Sequence, residues 1–388
     1  MLRRRRPGAV ATRPAPHREF RPMRAARVLV LFGVTVLLVS STPPARSAAS
    51  SDALARQRAI ATYAAMQRYF YVPATHAYRG IYGQRGHAQV WPYSQALWAA
   101  IELARIPRVG RAALADLRAL VAGLRAYGIR TRGGIVYNAV WGERTYVFYD
   151  DNAWIGLALI DAAALLRDRT LLEKAREVFS PIEAGWDSNP TDPCPGGVYW
   201  IRSAKNHERA TVSTANGALI AALLYRRTHV PAYLGWARRA YRWTRQCLAT
   251  PTGLVADHID STGTIDTHTW SYNQGAMIAA GVALYLDTGD RSYLDDARAT
   301  ADAELASLQD PLGSGESASF LAIFYRDLLS LAAVDPSPRY RLAVESFADA
   351  AWSTERSAST GLFSFGHTRA TLLDQAAMVQ VYAALAAS

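Results

Sequence analysis

Apolar residues along this chain recur at the three- and four-residue spacing of helices, and no strand-type alternation dominates. The pattern predicts twelve amphipathic helices, at roughly 51–71, 92–106, 111–126, 151–167, 170–184, 213–228, 232–248, 272–288, 291–308, 316–334, 337–355 and 371–386. Short polar turns carrying Gly, Pro or Asp follow the even-numbered helices, for example Arg167-Asp168-Arg169 and Thr288-Gly289-Asp290. Long loops follow the odd ones, at 72–91, 127–150, 185–212, 249–271 and 356–370. The even helices are rich in Ala and Leu and poor in charge, as in Ala153–Leu166 and Ala276–Leu286. A helix apolar all round is buried. These helices are therefore expected to form an inner ring, with the charged odd helices outside. The implied fold is all-α, an (α/α)6 barrel of six helical hairpins, with an open helical solenoid as the alternative.

A weak internal repeat agrees. Thr228, Tyr233, Leu234 and Ala237 recur as Thr288, Tyr293, Leu294 and Ala297, one hairpin and one long loop later.

Charge changes the picture at one end only. The chain of 388 residues has a formal charge of +11, which invites a nucleic-acid reading. Residues 1–49 hold ten arginines and one acid, so the remainder is near +2 and no basic binding face is implied. Arg24 and Arg27, the apolar run Val28 to Val39 and the small residues Ser47-Ala48-Ala49 read as a secretory signal, followed by a single (α/α)6 domain over 50–388. A start at Met23 would make that leader compact. Membrane attachment is expected only if the leader stays uncleaved, and a secreted or cell-surface monomer otherwise. The two cysteines, Cys194 and Cys247, fall in neighbouring hairpins at the same end of the barrel, which favours a disulfide over two thiols. No histidine or cysteine spacing suits a metal, and no cofactor is expected.

The loops preceding even helices should open on one face. They carry Trp91 and Tyr93, the segment Tyr137 to Tyr149, Trp186, Tyr199 and Trp200, and Trp270 and Tyr272. An aromatic-lined concavity is what a sugar-binding cleft requires. At the head of one inner helix stands Tyr149-Asp150-Asp151-Asn152-Ala153-Trp154. Two adjacent carboxylates there suit glycosidic-bond chemistry, although Asp and Asn at a helix start also serve as caps.

That hexapeptide resembles the signature of glycoside hydrolase family 76, the α-1,6-mannanases. Gly185-Trp186-Asp187 with Gly196-Gly197-Val198-Tyr199-Trp200, then Thr214-Ala215-Asn216-Gly217, then Trp270-Ser271-Tyr272-Asn273-Gln274-Gly275 are similar to further family segments, in the same order. The resemblance implies an (α/α)6 barrel that cleaves internal α-1,6 linkages of mannan with retention. Asp150 would be the nucleophile and Asp151 the acid/base. Trp91, Tyr93, Tyr149, Asn152, Trp200, Asn216, Trp270, Tyr272, Asn273 and Gln274 are the expected substrate contacts. Gly196 and Gly197 would let the backbone approach the ligand, and Asp187 and Asp374 are further polar groups near the inner ring. Three other readings stand beside this one: a transglycosylase remodelling envelope mannan with the same site, a sugar epimerase or polysaccharide lyase on an α/α toroid, and a non-catalytic glycan-binding toroid.

Overall fold

The computed structural model describes residues 48–107 and 109–388; the expected leader falls outside them, apart from its last two residues. Among the described residues the chain forms twelve α-helices: α1 (Ala48–Phe70), α2 (Val90–Arg105), α3 (Gly110–Gly123), α4 (Tyr149–Leu166), α5 (Arg169–Ala184), α6 (Thr211–Thr228), α7 (Pro231–Leu248), α8 (Ser271–Thr288), α9 (Arg291–Ser307), α10 (Ala318–Ala332), α11 (Pro338–Thr354) and α12 (Leu372–Ala387). Each begins and ends within three residues of its expected position. None is long and apolar enough to cross a membrane.

The even helices pack one on the next, α2 on α4 on α6 on α8 on α10 on α12, and α12 packs back on α2. The ring is closed, which settles barrel against solenoid. Burial follows the expected split. In α8 every residue from Ser271 to Leu284 except Tyr272 is buried. In the outer α5 only a stripe is buried, namely Leu171, Ala175, Val178, Phe179, Pro181 and Ile182, on the side facing α4.

The inner-to-outer turns share one construction. Arg167, His229 and Gly289 close α4, α6 and α8 in the left-handed conformation. Asp168 and Asp290 then cap α5 and α9 by accepting from the backbone N–H two residues on. Thr228 and Thr288 both donate back to the leucine carbonyl four residues earlier, so the sequence repeat is a repeat of this turn.

The long loops carry short strands that the helical pattern did not foretell. β1 (Tyr71–Val72) pairs with β2 (Ala77–Tyr78), and β3 (Gly128–Thr131) with β4 (Gly134–Tyr137). β5 (Arg209–Ala210), β6 (His258–Ile259) and β7 (Ile265–Asp266) form a three-stranded antiparallel sheet that joins two loops. Cys194 and Cys247 form a disulfide between the loop after α5 and the end of α7.

One device ties these loops to the ring. The fourth residue of an inner helix offers its side chain to the backbone of the preceding loop. Asn152 accepts from Tyr137 N–H and donates to the Tyr137 and Phe148 carbonyls. Gln274 does the same for Val255 and Trp270, and Gln375 for Phe363 and Thr371. Thr214, with one hydroxyl, accepts from Val198 N–H and donates to the Ala210 carbonyl. All four are buried, so these bonds also satisfy loop amides and carbonyls that water cannot reach.

Candidate active site

α4 starts at Tyr149, with Phe148 as its N-cap and no side-chain cap. Asp150 and Asp151 are therefore the second and third helical residues, inside the first turn, and neither caps the helix. Helix N-terminal amides favour negative charge at this point. Both carboxylates line a cavity of about 490 Å³ on the loop face. Its walls include Trp91, Phe148, Trp154, Trp200, Tyr272 and Phe320, and its polar lining adds Gln89, Glu208, Asp257 and His258.

Burial dominates the electrostatics. It pushes Asp150 up to about 6, against the pull of the helix-start amides and of the Trp200 indole N–H, which donates to Asp150 Oδ2 at 3.2 Å. Asp150 Oδ1 is buried without a hydrogen-bond partner. Asp151 is pushed well above the usual carboxylate range, by burial first and by the neighbouring Asp150 charge second. Two adjacent carboxyls thus differ in proton affinity, with Asp151 holding its proton more tightly than Asp150.

Asp257 is a third carboxylate in the cavity, and the sequence reading missed it. Its Oδ1 accepts from Asn273 Nδ2 at 2.9 Å and from the Tyr272 hydroxyl at 3.3 Å, and its Oδ2 lies 2.9 Å from His258 Nδ1. The carboxylate raises the His258 pKa, foremost through that hydrogen bond. Asp257 follows Leu254-Val255-Ala256 in the loop before an inner helix, so loop placement was its only signal.

The expected substrate contacts divide. Trp91, Trp200 and Tyr272 line the cavity with the aspartates. Asn273 is buried and holds Asp257. Trp270 stands outside the lining, stacked on His268 and edge-on to Phe320. Tyr93 is buried with its hydroxyl at the carbonyls of His76 and Leu120. Tyr149 is buried beside Gly185, where a Cβ would meet its ring at 2.6 Å. Asn152 and Gln274 are occupied as loop clamps. Asn216 is fully buried in α6, away from the lining, with neither amide atom partnered.

Other polar expectations resolve as structure. Asp187 forms a buried ion pair with Arg209 at 3.0 Å, and Arg209 also donates to the carbonyls of Pro193, Cys194 and Asp260. Gly196 and Gly197, at φ of 117° and 83°, lie against the Trp186 and Trp243 rings, and a Cβ on Gly197 would meet Trp243 at 2.3 Å. The glycines admit aromatic rings to the loop, in a conformation that side chains resist.

A second cavity, about 920 Å³, opens beside the first and shares Gln89 with it. It is the larger of the two, yet it lacks the adjacent carboxylate pair. Among the described residues one His/carboxylate group has metal-like proximity, Asp257, His258 and Asp266. Its groups are already engaged with histidines, Asp257 as above and Asp266 by His268 at 2.6 Å.

Comparisons with known proteins point to one family. The family model for glycosyl hydrolase family 76 matches residues 54–388. A mannan endo-1,6-alpha-mannosidase of Candida glabrata is 29% identical over 221 residues, covering 50% of this chain and 48% of that protein. The corresponding protein of Candida albicans is 33% identical over 159 residues, covering 37% and 34%. The chain thus spans about half or less of the length of these curated relatives. Among solved structures, a family 76 mannosidase of Bacteroides thetaiotaomicron superposes with a TM-score of 0.78 at 24% identity, over 86% of this chain and 98% of that one. An α-1,6-mannanase of Salegentibacter sp. HEL1_6 superposes with a TM-score of 0.74 at 22% identity, over 86% and 99%. It is described as an inactive variant, with two consecutive aspartates replaced by asparagine, in complex with α-1,6-mannotriose.

Proposed function

Because the chain belongs to glycosyl hydrolase family 76, we propose that it is an exported retaining hydrolase of internal α-1,6-mannosidic linkages, with Asp150 and Asp151 as its catalytic pair. The observation that carries this reading is the pair itself: consecutive carboxyls on one helical turn, in one aromatic-walled cavity, whose surroundings separate their proton affinities. The related Salegentibacter mannanase, inactive when two consecutive aspartates are replaced, supports it.

The division of labour follows from protonation. Asp150, the more acidic of the two, attacks the anomeric carbon as a carboxylate, while Asp151 delivers its proton to the departing O6 of the next mannosyl unit. The bond to O6 breaks as the ester to Asp150 forms. Asp151, now ionised, takes a proton from water as the water oxygen displaces Asp150, and the product keeps the α configuration. Trp200 steadies the charge on Asp150, and the aromatic walls exclude water and offer faces for sugar C–H groups. Asp257, fixed by three donors, is a ready acceptor for sugar hydroxyls. The disulfide fits an oxidising compartment outside the cytoplasm.

The test is incubation with linear α-1,6-mannan, chromatography of the products and NMR of the first anomer formed. Internal cuts with α-mannose ends appearing first are expected. A β-anomer, or release of single mannose units only, would refute the reading.

A further inference from the structure

The loop face holds two chambers, and only one contains the aspartate pair. The second lies over the N-terminal ends of α10, α12 and α2, and its 920 Å³ is near the upper end of the range of small-molecule sites, about 300–1,000 Å³. Gln89 lines both, so a chain held in one continues into the other without leaving the protein surface.

The lining has a definite chemistry. Glu316, Glu355 and Asp374 line it, Glu316 with its carboxylate held by the Ser271 amide and hydroxyl, and His87, His367 and Arg85 stand at intervals with Phe365 as an aromatic face. Asp374 is the best fixed of these. It is 1% exposed, and its Oδ2 is held by the Thr371 hydroxyl and amide in a capping box. Its Oδ1 faces His367 Nε2 at 3.9 Å, too far for a hydrogen bond, which leaves an immobilised acceptor at the cavity wall. Fixed carboxylates that accept from hydroxyls, beside an aromatic ring, suit a neutral saccharide. Three carboxylates in one chamber oppose a phosphate or other anion.

We infer that this second chamber is a glycan-binding site beside the cleavage chamber and separate from the aspartate pair. It takes neutral mannosyl units of the polymer, is anchored by Asp374 and selects against phosphate-bearing chains. The inference rests on the mannanase reading and adds to it where the distal part of the substrate lies and which charge it carries.

The experiment compares kcat/KM on reduced α-1,6-mannooligosaccharides of rising length, up to linear mannan, for the wild type, Asp374→Asn and Gln84→Trp. Gln84 is exposed at the chamber rim, so its replacement fills space without disturbing the core. Asp374→Asn is expected to lose about tenfold on mannan, the effect of one lost charge-assisted hydrogen bond, and Gln84→Trp about tenfold by filling the chamber; both stay within about twofold of wild type on the shortest cleaved oligosaccharide. Equal losses on short and long substrates, or no loss on either, would overturn the inference, as would a wild-type preference for mannan bearing distal phosphate. A wild type that cleaves no α-1,6-mannoside of any length would instead refute the mannanase reading, a distinguishable result. Because Asp374 also caps α12, Gln84→Trp keeps the test decisive if Asp374→Asn misfolds.

Discussion

Asp151 and Asp374 occupy the same place in two inner helices, the third residue of α4 and of α12, and they do different work. Before α12 stands Thr371, whose amide and hydroxyl bind the Asp374 carboxylate in a capping box. Before α4 stands Phe148, which has no hydroxyl to give. One residue at the N-cap therefore decides whether a first-turn carboxylate is tied to the helix start through one oxygen or left untied. The halves of the loop face differ in the same sense. Over α4, α6 and α8 the loops are braced by strands, the disulfide and the Arg209 ion pair, and the chamber is narrow and aromatic. Before α10 the connection is only residues 308–317 and holds no strand, and the adjoining chamber is larger, about 920 Å³ against about 490 Å³, with Phe365 in place of the catalytic chamber's several aromatic walls. On the proposed function, rigid loops over α4, α6 and α8 suit bond cleavage, which needs placement within fractions of an ångström.

The largest effect should come from the pair. Asp150→Asn and Asp151→Asn are each expected to lower kcat on mannan by on the order of a thousandfold or more, with unchanged helical circular dichroism. In the wild type kcat/KM should rise through pH 6 as Asp150 ionises. Mannan cleavage within tenfold of wild type in either variant would remove the distinction between the halves.

The disulfide braces only the catalytic half. Closing a loop across 53 residues contributes about 4 kcal/mol by chain entropy. The Cys194→Ser, Cys247→Ser double variant should melt lower by that measure in denaturant titration. It should also lose turnover more than mannan binding, because the freed loop carries Trp200. Binding lost in equal proportion would mean that the brace serves both chambers.

The clamps allow a matched comparison. Gln274→Ala and Gln375→Ala each strip three hydrogen bonds from a buried loop, and a loss of about 2 kcal/mol is expected for both. Only Gln274→Ala should reduce kcat, since its loop continues from Val255 to Asp257. Equal kcat values at matched stability would show that the Asp257 loop does not need its clamp.

How much of this was legible is itself uneven between ring and loops. Helix positions and inner or outer placement were readable because 3.6-residue periodicity and charge segregation are local properties of the chain. So was Asp150-Asp151, a contiguous pair at a helix start. What was not legible depends on side-chain direction. Asn152 and Gln274 are polar residues at the heads of inner helices, as a sugar ligand would be, yet they turn back to the loop. Asp257 is set beside Asp150 by β6 pairing with β5 across about fifty residues, and two-residue strands leave no periodic trace. The Gly196-Gly197 pair marked a close approach correctly, but the approaching group is Trp243.

The smallest effect tests the N-cap rule directly. Phe148→Thr places at the head of α4 the group that Thr371 supplies to α12, and Phe148→Val supplies the same shape without the hydroxyl. Both lose the ring that packs on Trp200 at 5.1 Å between centroids, so both should lose some activity through the cavity wall. Only threonine can donate to Asp151. A donor to the ionised form lowers a carboxyl pKa, and the acid/base would then lose its proton at lower pH. The basic limb of the kcat/KM profile should therefore move down in Phe148→Thr relative to Phe148→Val, by about one unit, with about tenfold lower kcat/KM on its alkaline side. Coincident profiles for the two variants would mean that Asp151 is held away from its own N-cap. The contrast with Asp374 would then rest on backbone geometry rather than on the missing hydroxyl.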